Sequence, residues 1–398
     1  MRRLAKPLVV TVCLVGPYLL APVVWAGSYY SSSGIGLVHH FVSARSQGMG
    51  GVGLATPELL TVNFMNPASL PGLPLTMLSA NFFHSSTEVT TARQSGRVTD
   101  TNPFGFQFVV PLAQDVAGIA IGLNSYSTME FSYEETRGSV VESVSGKGGV
   151  QTAFFSLGIR PIKKLYLGVS VLYFFGTVGN RWTLDFPTGS RQRDTRSENT
   201  FSLSGAGLRF GAIFQITSAW HVGAVWTPSV DVSGKRFVGF ENVNEFSDFP
   251  EEEASVPASF GLGTSLEIGK KFLVAVDYFT RRWEKVNVLN YTKPSQRIGL
   301  GFEFSAKGGP FSSFLSRTAF RAGAFYRDLG LERPEGKSVK EVAGTVGLGL
   351  PIRWHAARLD FGLQFGKRGS SDNVFQENFI SLYGGITLGS KWFQRRKR

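Results

Sequence analysis

The stretch Arg-Ile-Gly-Leu-Gly-Phe-Glu-Phe at residues 297–304 alternates strictly between large apolar side chains and small or charged ones. Successive side chains of a β-strand point to opposite faces, so this period of two is typical of a strand with a different environment on each face. The same alternation recurs at residues 155–160, 165–173, 206–214 and 358–365. The sequence therefore predicts an all-β fold made of many amphipathic strands.

The chemistry of the two faces indicates what surrounds them. One face is aliphatic and aromatic, and the other is Gly, Ser and charge. Gly supplies 47 of the 398 residues and charged residues only 18%, where charged residues make up about 25% of an ordinary soluble domain. Outer-membrane barrels turn an apolar face to lipid and a polar face to the lumen. This composition favours strands that cross a membrane.

Fourteen such segments can be counted, and each is about as long as a tilted spanning strand requires. We predict a transmembrane antiparallel β-barrel of about 14 strands at residues 75–393, with a basic periplasmic tail at 394–398. Aromatic residues near strand ends, including Trp220, Trp226 and Trp283, are expected at the membrane interfaces. Long polar loops are predicted at residues 136–147, 184–197, 236–253, 283–293 and 328–338.

The first 26 residues have the pattern of a cleaved signal peptide. Arg2, Arg3 and Lys6 precede an apolar run at residues 8–25, and Ala26 is the small residue that signal peptidase needs before the scissile bond. We expect export and cleavage, which would place the mature chain in the cell outer membrane. Cys13 is the one cysteine of the chain and would leave with the signal peptide.

Residues 27–74 break the alternation and are rich in Gly and Ser, then in Pro. A stretch of this length without a strand pattern is unusual for a linker. We expect it to fold inside the barrel as a hatch or plug.

The motifs of common enzymes and cofactor sites are absent or misplaced. Residues 48–53 match G-x-G-x-x-G, but the Pro-rich sequence after them does not predict the helix that a dinucleotide site needs. No nucleophile–base pair can be nominated, no His has a His partner at helical spacing, and the basic residues form no stripe with aromatics. We therefore expect no enzymatic activity, no cofactor, no metal site and no nucleic-acid partner.

Several charged residues alternate in step with Gly and Ser and are therefore expected on the small-residue face of their strands. Two interpretations stay open: a lumenal network of ion pairs that offsets the burial of each charge, or a path for an anionic head group such as a carboxylate. The network is the favoured interpretation. The residues concerned are Arg160, Arg209, Arg297, Arg321, Arg358, Glu267, Asp277, Glu303 and Asp360.

Two stretches carry a resemblance to a known family. Ser-Ala-Arg-Ser-Gln-Gly-Met-Gly-Gly at residues 43–51, followed by Asn66-Pro67-Ala68, resembles the N-terminal signature of the FadL/TodX outer-membrane transport superfamily and its PorV-like relatives. The resemblance implies a 14-stranded barrel with Asn66, Pro67 and Ala68 in the hatch. It places a second set of residues in the Gly-rich part of the hatch: Arg45, Gly48, Gly50 and Gly51.

The same resemblance implies passive uptake of hydrophobic compounds, either long-chain fatty acids or aromatic hydrocarbons, with lateral release through a kink in the third strand. We place that kink at Gly122, Asn124 and Ser125, where the apolar pattern is interrupted. The alternative is a PorV-like shuttle or scaffold that binds exported proteins. The expected partners are outer-membrane lipids and lipopolysaccharide, a hydrophobic ligand and, during biogenesis, the barrel-assembly machinery.

Overall fold

The computed structural model describes most of the chain. The described residues are 27–56, 61–91, 95–240, 243–248, 252–269, 271–283, 293–305, 313–332, 337–353, 357–371 and 373–392. The predicted signal peptide at 1–26 and the predicted tail at 394–398 lie outside them.

Strands dominate the described residues, and the few helices are single turns. The helical turns are two 3-10 turns, Tyr29–Ser32 and Pro67–Gly72, and two α-helical turns, α1 (Ala44–Gln47) and α2 (Phe314–Arg317). The strands are β1 (Leu37–Val38), β2 (Thr76–Thr90), β3 (Ser95–Ala113), β4 (Ala117–Thr128), β5 (Phe131–Arg137), β6 (Val140–Ile162), β7 (Leu165–Asp185), β8 (Thr195–Gln215), β9 (Trp220–Thr227), β10 (Val230–Phe240), β11 (Val243–Asp248), β12 (Glu252–Val256), β13 (Ser259–Ile268), β14 (Phe272–Arg281), β15 (Ser295–Ser305), β16 (Ala319–Glu332), β17 (Ser338–Arg353), β18 (Ala357–Arg368) and β19 (Gln376–Ser390).

The strands from β2 onward form one closed antiparallel barrel. Neighbouring barrel strands are consecutive in the chain once the strands that are divided into pieces are counted as one, and β19 pairs with β2 from Ser390↔Thr76 to Gln376↔Thr90, which closes the sheet. Three barrel strands are built from consecutive pieces: β4 with β5, β9 with β10, and β11 to β13. The described residues thus form 14 barrel strands, and the predicted fold class is confirmed.

The alternation in the sequence separates an outer face from an inner one. In β15, Ile298 and Phe302 point outward and are 52% and 48% exposed, whereas Arg297 points inward and is 5% exposed. A belt of such exposed apolar side chains suits lipid and is costly in water. Trp220 and Trp226 lie on this outer face as predicted, but Trp283 is buried among apolar side chains, so its predicted interfacial position is wrong.

Two of the predicted loops are instead ordered hairpins. Residues 136–147 belong to β5 and β6, and β10 pairs with β11 within residues 236–253. The sequence did not indicate these strands, because their apolar residues do not alternate regularly with polar ones. We call the end of the barrel that holds Thr76 and Ser390 the near end and the opposite end, to which these hairpins belong, the far end.

The core of the molecule lies inside the barrel, between residues 27–74 and the wall. The main apolar cluster joins side chains of this N-terminal segment, such as Phe41 and Phe64, to wall residues such as Phe104 and Phe154. Within the described residues, no helix has the length and hydropathy needed to cross a membrane.

Candidate functional site

A ring of glycines on the inner wall surrounds the N-terminal segment. At each of them an added Cβ would come within 3.0 Å of an atom of that segment, so only glycine permits the approach. We call this set the glycine collar. Its members lie on 11 of the 14 barrel strands and are Gly118, Gly158, Gly168, Gly211, Gly223, Gly263, Gly299, Gly301, Gly323, Gly347, Gly362 and Gly385.

The predicted Asn66-Pro67-Ala68 motif fixes one side of the segment. The side chain of Asn66 accepts a hydrogen bond from the amide of Ala68 at 3.1 Å and caps the 3-10 turn that begins at Pro67. Its amide group donates to the carbonyl of Leu54 at 2.7 Å. The carbonyl of Pro67 lies 2.6 Å from where a Cβ on Gly158 would be. In this structure the hydrogen bonds of the motif stabilise the local conformation of the N-terminal segment, and the motif packs against the glycine collar.

The predicted Gly-rich residues lie on the opposite side of the barrel interior. Gly50 and Gly51 have φ angles of 65° and 71°, a region that side-chain-bearing residues rarely adopt. The amide of Gly50 donates to Oγ1 of Thr345 at 2.8 Å. Gly48 packs against Gly362, where a Cβ would lie 2.7 Å from the nitrogen of Gly48.

Arg45, the fourth residue predicted for this region, begins a chain of buried ion pairs. It binds both carboxylate oxygens of Glu303, at 2.8 and 2.9 Å. Arg321 donates to Glu303 at 2.7 Å and contacts Asp360 at 2.8 Å, and Arg358 donates to Asp360 at 2.9 Å. Four of the nine residues considered for a lumenal ion-pair network, Arg321, Arg358, Glu303 and Asp360, form one here together with Arg45. Each charge in it has an opposite partner, which offsets the cost of its burial.

Other wall arginines bind the backbone of the segment, and Arg327 also forms an ion pair with Glu341 at 4.0 Å. Each donates a hydrogen bond to a carbonyl of the segment. The pairs are Arg209 with Phe64 (3.1 Å), Arg281 with His39 (2.8 Å), Arg297 with Gly50 (2.6 Å) and Arg327 with Val38 (2.7 Å). Charged donors make strong hydrogen bonds, so these contacts hold the segment in place.

One wall carboxylate acts in the same way, and one predicted lumenal arginine does not. Asp277 accepts from the amides of Gly53 and Leu54, at 2.6 and 2.9 Å. Arg160 lies near the end of β6, where the pairing with β7 shifts register between Ile159 and Ile162. Its side chain donates to the carbonyl of Lys163 at 3.2 Å, so this hydrogen bond is to the turn after β6.

Backbone pairing in the wall is interrupted between β3 and the strand after it. β4 pairs with β3 only as far as Gly105↔Asn124, and β5 pairs with β6. On the other side, residues 95–104 of β3 pair with β2. We call the interruption, between residues 95–104 and 125–137, the slot.

The N-terminal segment occupies one edge of the slot. β1 pairs with the end of β4, with Leu37 opposite Thr128. The amide of Gly27 donates to the carbonyl of Glu130 at 2.6 Å. These bonds satisfy backbone groups that the missing wall pairing leaves open, and they make the segment part of the barrel wall here.

The residues predicted for the strand kink lie where the slot begins. Gly122 is paired on both sides, with Gln107 and Phe154. Asn124 makes the last pair with β3, and a register shift follows Ser125. A β-bulge of this kind bends a strand and ends regular pairing. The fuller break in the strand comes later, at residues 129–130 between β4 and β5.

A cluster of aromatic rings lies inside the barrel next to the slot. Phe41 and Phe104 have ring centroids 4.3 Å apart, and Phe41 and Phe64 are 5.5 Å apart. Phe83 contacts Tyr383 at 5.0 Å. We call Phe41, Phe64, Phe83, Phe104 and Tyr383 the aromatic cluster. The alternation of side chains in β2 indicates one member of this cluster. Phe82 faces outward, so the next residue, Phe83, must face the lumen.

A small cavity of about 70 Å³ adjoins this cluster and is more polar than the rings beside it. His39 and His40 line it together with Arg297, Arg327 and Glu341. Burial lowers the pKa of His39 to about 3, and the positive charge of Arg327 adds to the effect. Burial also holds the pKa of His40 well below its usual range.

A 14-stranded barrel with its N-terminal segment bound inside is the fold that this chain shares with solved FadL- and TodX-type structures. The chain belongs to the BamG family, whose model matches residues 4–398. No curated protein sequence matches the chain.

Several solved structures share the fold at low sequence identity. The toluene transporter TodX of Pseudomonas putida is 16% identical with a TM-score of 0.61, covering 89% of this chain and 99% of its own. The toluene transporter TbuX of Ralstonia pickettii is 17% identical with a TM-score of 0.58, covering 88% and 98%. A FadL homologue of Pseudomonas aeruginosa is 10% identical with a TM-score of 0.61, covering 88% and 99%.

Proposed function

We propose that this protein is an outer-membrane channel for passive uptake of hydrophobic compounds, with lateral release through the slot. The observation that carries the proposal is the aromatic cluster, which lies inside the barrel next to the slot. Phe104 belongs to this cluster and lies on β3 immediately beyond its last pair with β4. An apolar compound would exchange water for aromatic surface at this place, which is favourable.

The collar and the arginine bonds oppose a route straight through the lumen. They attach the segment to almost the whole inner wall, and displacing it would break several charge-assisted hydrogen bonds at once. On one side the slot is bounded by the backbone pairing of β1 with β4 and by the hydrogen bonds of Gly27 and Ser28 to Glu130. We therefore place the exit sideways, past β1, and the entrance at the far end, facing the outside of the cell. No bond chemistry is part of this proposal.

A matched pair of substitutions on one strand tests the route. Phe104 and Phe106 are two residues apart in β3, yet Phe104 is 2% exposed inside the barrel and Phe106 is 46% exposed on the outer face. We expect Phe104→Asn to lower uptake per folded barrel about tenfold, since a polar group beside an apolar ligand costs about 1–3 kcal/mol. Uptake of radiolabelled toluene and palmitate by cells expressing each variant measures the effect.

Phe106→Asn is the control for changes in folding and membrane insertion. Heat-modified mobility on a gel would give the folded fraction of both variants. Equal uptake by the two variants would contradict the proposed route. Mass spectrometry of organic extracts from the purified wild-type protein would identify a retained ligand and its chemical class.

A second candidate function is a scaffold for exported proteins, and the unequal height of the wall favours it. β6, β7 and β8 have 23, 21 and 21 residues, whereas β14 and β15 have 10 and 11. At about 3.3 Å per residue the longer strands extend well beyond a lipid-facing belt about 25 Å tall. Such a polar, ordered sheet suits a protein partner.

Crosslinking separates the two functions. A photoreactive residue placed at exposed Arg181 in β7 would capture a scaffolded protein, while the same residue at Phe155 on the lipid-facing surface is the control. A specific protein crosslink at position 181, with uptake unaffected by Phe104→Asn, would favour the scaffold. Uptake that depends on Phe104, with no specific crosslink, would favour the channel.

A further inference from the structure

Gly27, directly after the predicted cleavage point, lies beside two carboxyl groups. Its amide donates to the backbone carbonyl of Glu130 at 2.6 Å. A Cβ built on Gly27 would lie 3.2 Å from Oδ2 of Asp100 and 3.4 Å from that carbonyl. The carboxyl group of Glu130 is in turn within hydrogen-bonding reach of the carboxyl group of Asp100. Gly27 is therefore in direct contact with an acidic pair.

Within the described part of the chain, this acidic pair has no cationic partner. Asp100 is 6% exposed and accepts a hydrogen bond from the side-chain amide of Asn102. The nearby Arg368 and Glu377 pair with each other at 2.6 Å. Two carboxylates that share a poorly hydrated place repel each other, and a cation between them relieves the repulsion.

We propose that removal of the signal peptide supplies this cation, so that the α-ammonium group of Gly27 forms an ion pair with Asp100 and Glu130. Hydrolysis of the Ala26–Gly27 peptide bond consumes one water, leaves a carboxylate on Ala26, and leaves an α-amine on Gly27. That amine is protonated at neutral pH, since its ordinary pKa is about 8. The uncleaved amide has one N–H, which already binds the carbonyl of Glu130; the ammonium has further N–H groups for the carboxylates.

This ion pair would couple processing of the chain to the state of the slot. The same residues, 27–38, line one edge of the slot, and Glu130 lies in the break between β4 and β5. The new charge would hold the start of the N-terminal segment on the slot edge only after cleavage at this bond. The inference does not depend on the compound transported, so failed uptake and a missing ion pair are separate outcomes.

The pKa of the terminal amine tests the proposal directly. Mature protein that begins at Gly27 is refolded in detergent, and the amine is titrated by its rate of labelling with acetic anhydride. We expect its pKa to lie at least one unit above the ordinary value of about 8. In the Asp100→Asn/Glu130→Gln variant we expect it to fall to 8 or below, because burial without a counter-charge disfavours the ammonium.

Two further measurements complete the test. Glu88→Gln, which removes an exposed carboxylate on β2, should leave the amine pKa unchanged. Mass spectrometry of protein purified from the outer membrane should find Gly27 as the first residue. A different first residue, or an amine pKa that is the same in wild type and the Asp100→Asn/Glu130→Gln variant, would overturn the proposal.

Discussion

At the scale of single residues, the collar shows why glycine is so abundant in this chain. The inner wall meets backbone atoms of the segment, such as the carbonyl of Pro67 against Gly158 and the nitrogen of Gly48 against Gly362. A methyl group at these points would overlap atoms of the segment unless the backbone moved. The alternation of Gly with apolar residues predicted that these glycines face the lumen. It could not predict what they touch, because the contacts join residues far apart in the chain.

One substitution in the collar tests this explanation. We expect Gly158→Ala to lower the free energy of unfolding by about 1–3 kcal/mol, since the new Cβ would overlap the carbonyl of Pro67. Gly96→Ala in β3 is the control, because no atom lies within 4 Å of the added Cβ there. Guanidinium unfolding in detergent, followed by tryptophan fluorescence, measures both. Equal losses of stability at the two positions would show that the collar is not tightly packed.

At the scale of elements, β1 is the shortest strand described and the one on which the slot depends. It has two residues and joins the end of β4. It has only two paired residues, so its opening breaks fewer ladder hydrogen bonds than the opening of a barrel strand, although the bond from Arg327 to the carbonyl of Val38 opposes that opening. No strand could be predicted here from the sequence, because two residues are too few for an alternating pattern. The kink, by comparison, was placed near the start of the slot because Gly122-Leu123-Asn124-Ser125 interrupts an apolar run.

A disulfide between β1 and β4 tests whether this element must move. Residues opposite each other in an antiparallel pair have Cα atoms about 4.5–5.5 Å apart, within the range that a disulfide spans. We expect the oxidised Leu37→Cys/Thr128→Cys protein to lose most of its uptake and to regain it on reduction. Leu78→Cys/Phe108→Cys, across β2 and β3 in the wall, should have no effect in either state. Full uptake by the oxidised β1–β4 protein would exclude release past β1.

At the scale of the whole molecule, the sequence predicted the part of the barrel that lies in lipid and missed the part beyond it. The number of strands and the closing of the sheet follow from alternation, which exists only where lipid lies on one side and the lumen on the other. The hairpins at 136–147 and 236–253 carry no such regular alternation, since apolar residues such as Val140 and Val141, or Phe237 and Val238, stand next to each other.

Global stability should depend on pH through the two buried histidines of the segment. Their pKa values are lowered in the folded state, so the unfolded chain takes up protons first as the pH falls. Stability is fully present above the unfolded pKa of about 6.5, and is lost below it by about 1.4 kcal/mol per pH unit for each histidine. Unfolding measured between pH 7.5 and 5 checks this. His39→Gln/His40→Gln should flatten the dependence, and the exposed His84→Gln should not.

The channel proposed above has to admit a compound and still hold the N-terminal segment in place. The collar holds the segment through glycines that meet mostly its backbone atoms, so this packing depends little on the side chains that the segment carries at those points. The aromatic cluster, which would meet a cargo in the proposed channel, is made of side chains at other positions. Under this proposal, evolution could change one set of residues to suit a new compound while the packing of the segment stayed the same.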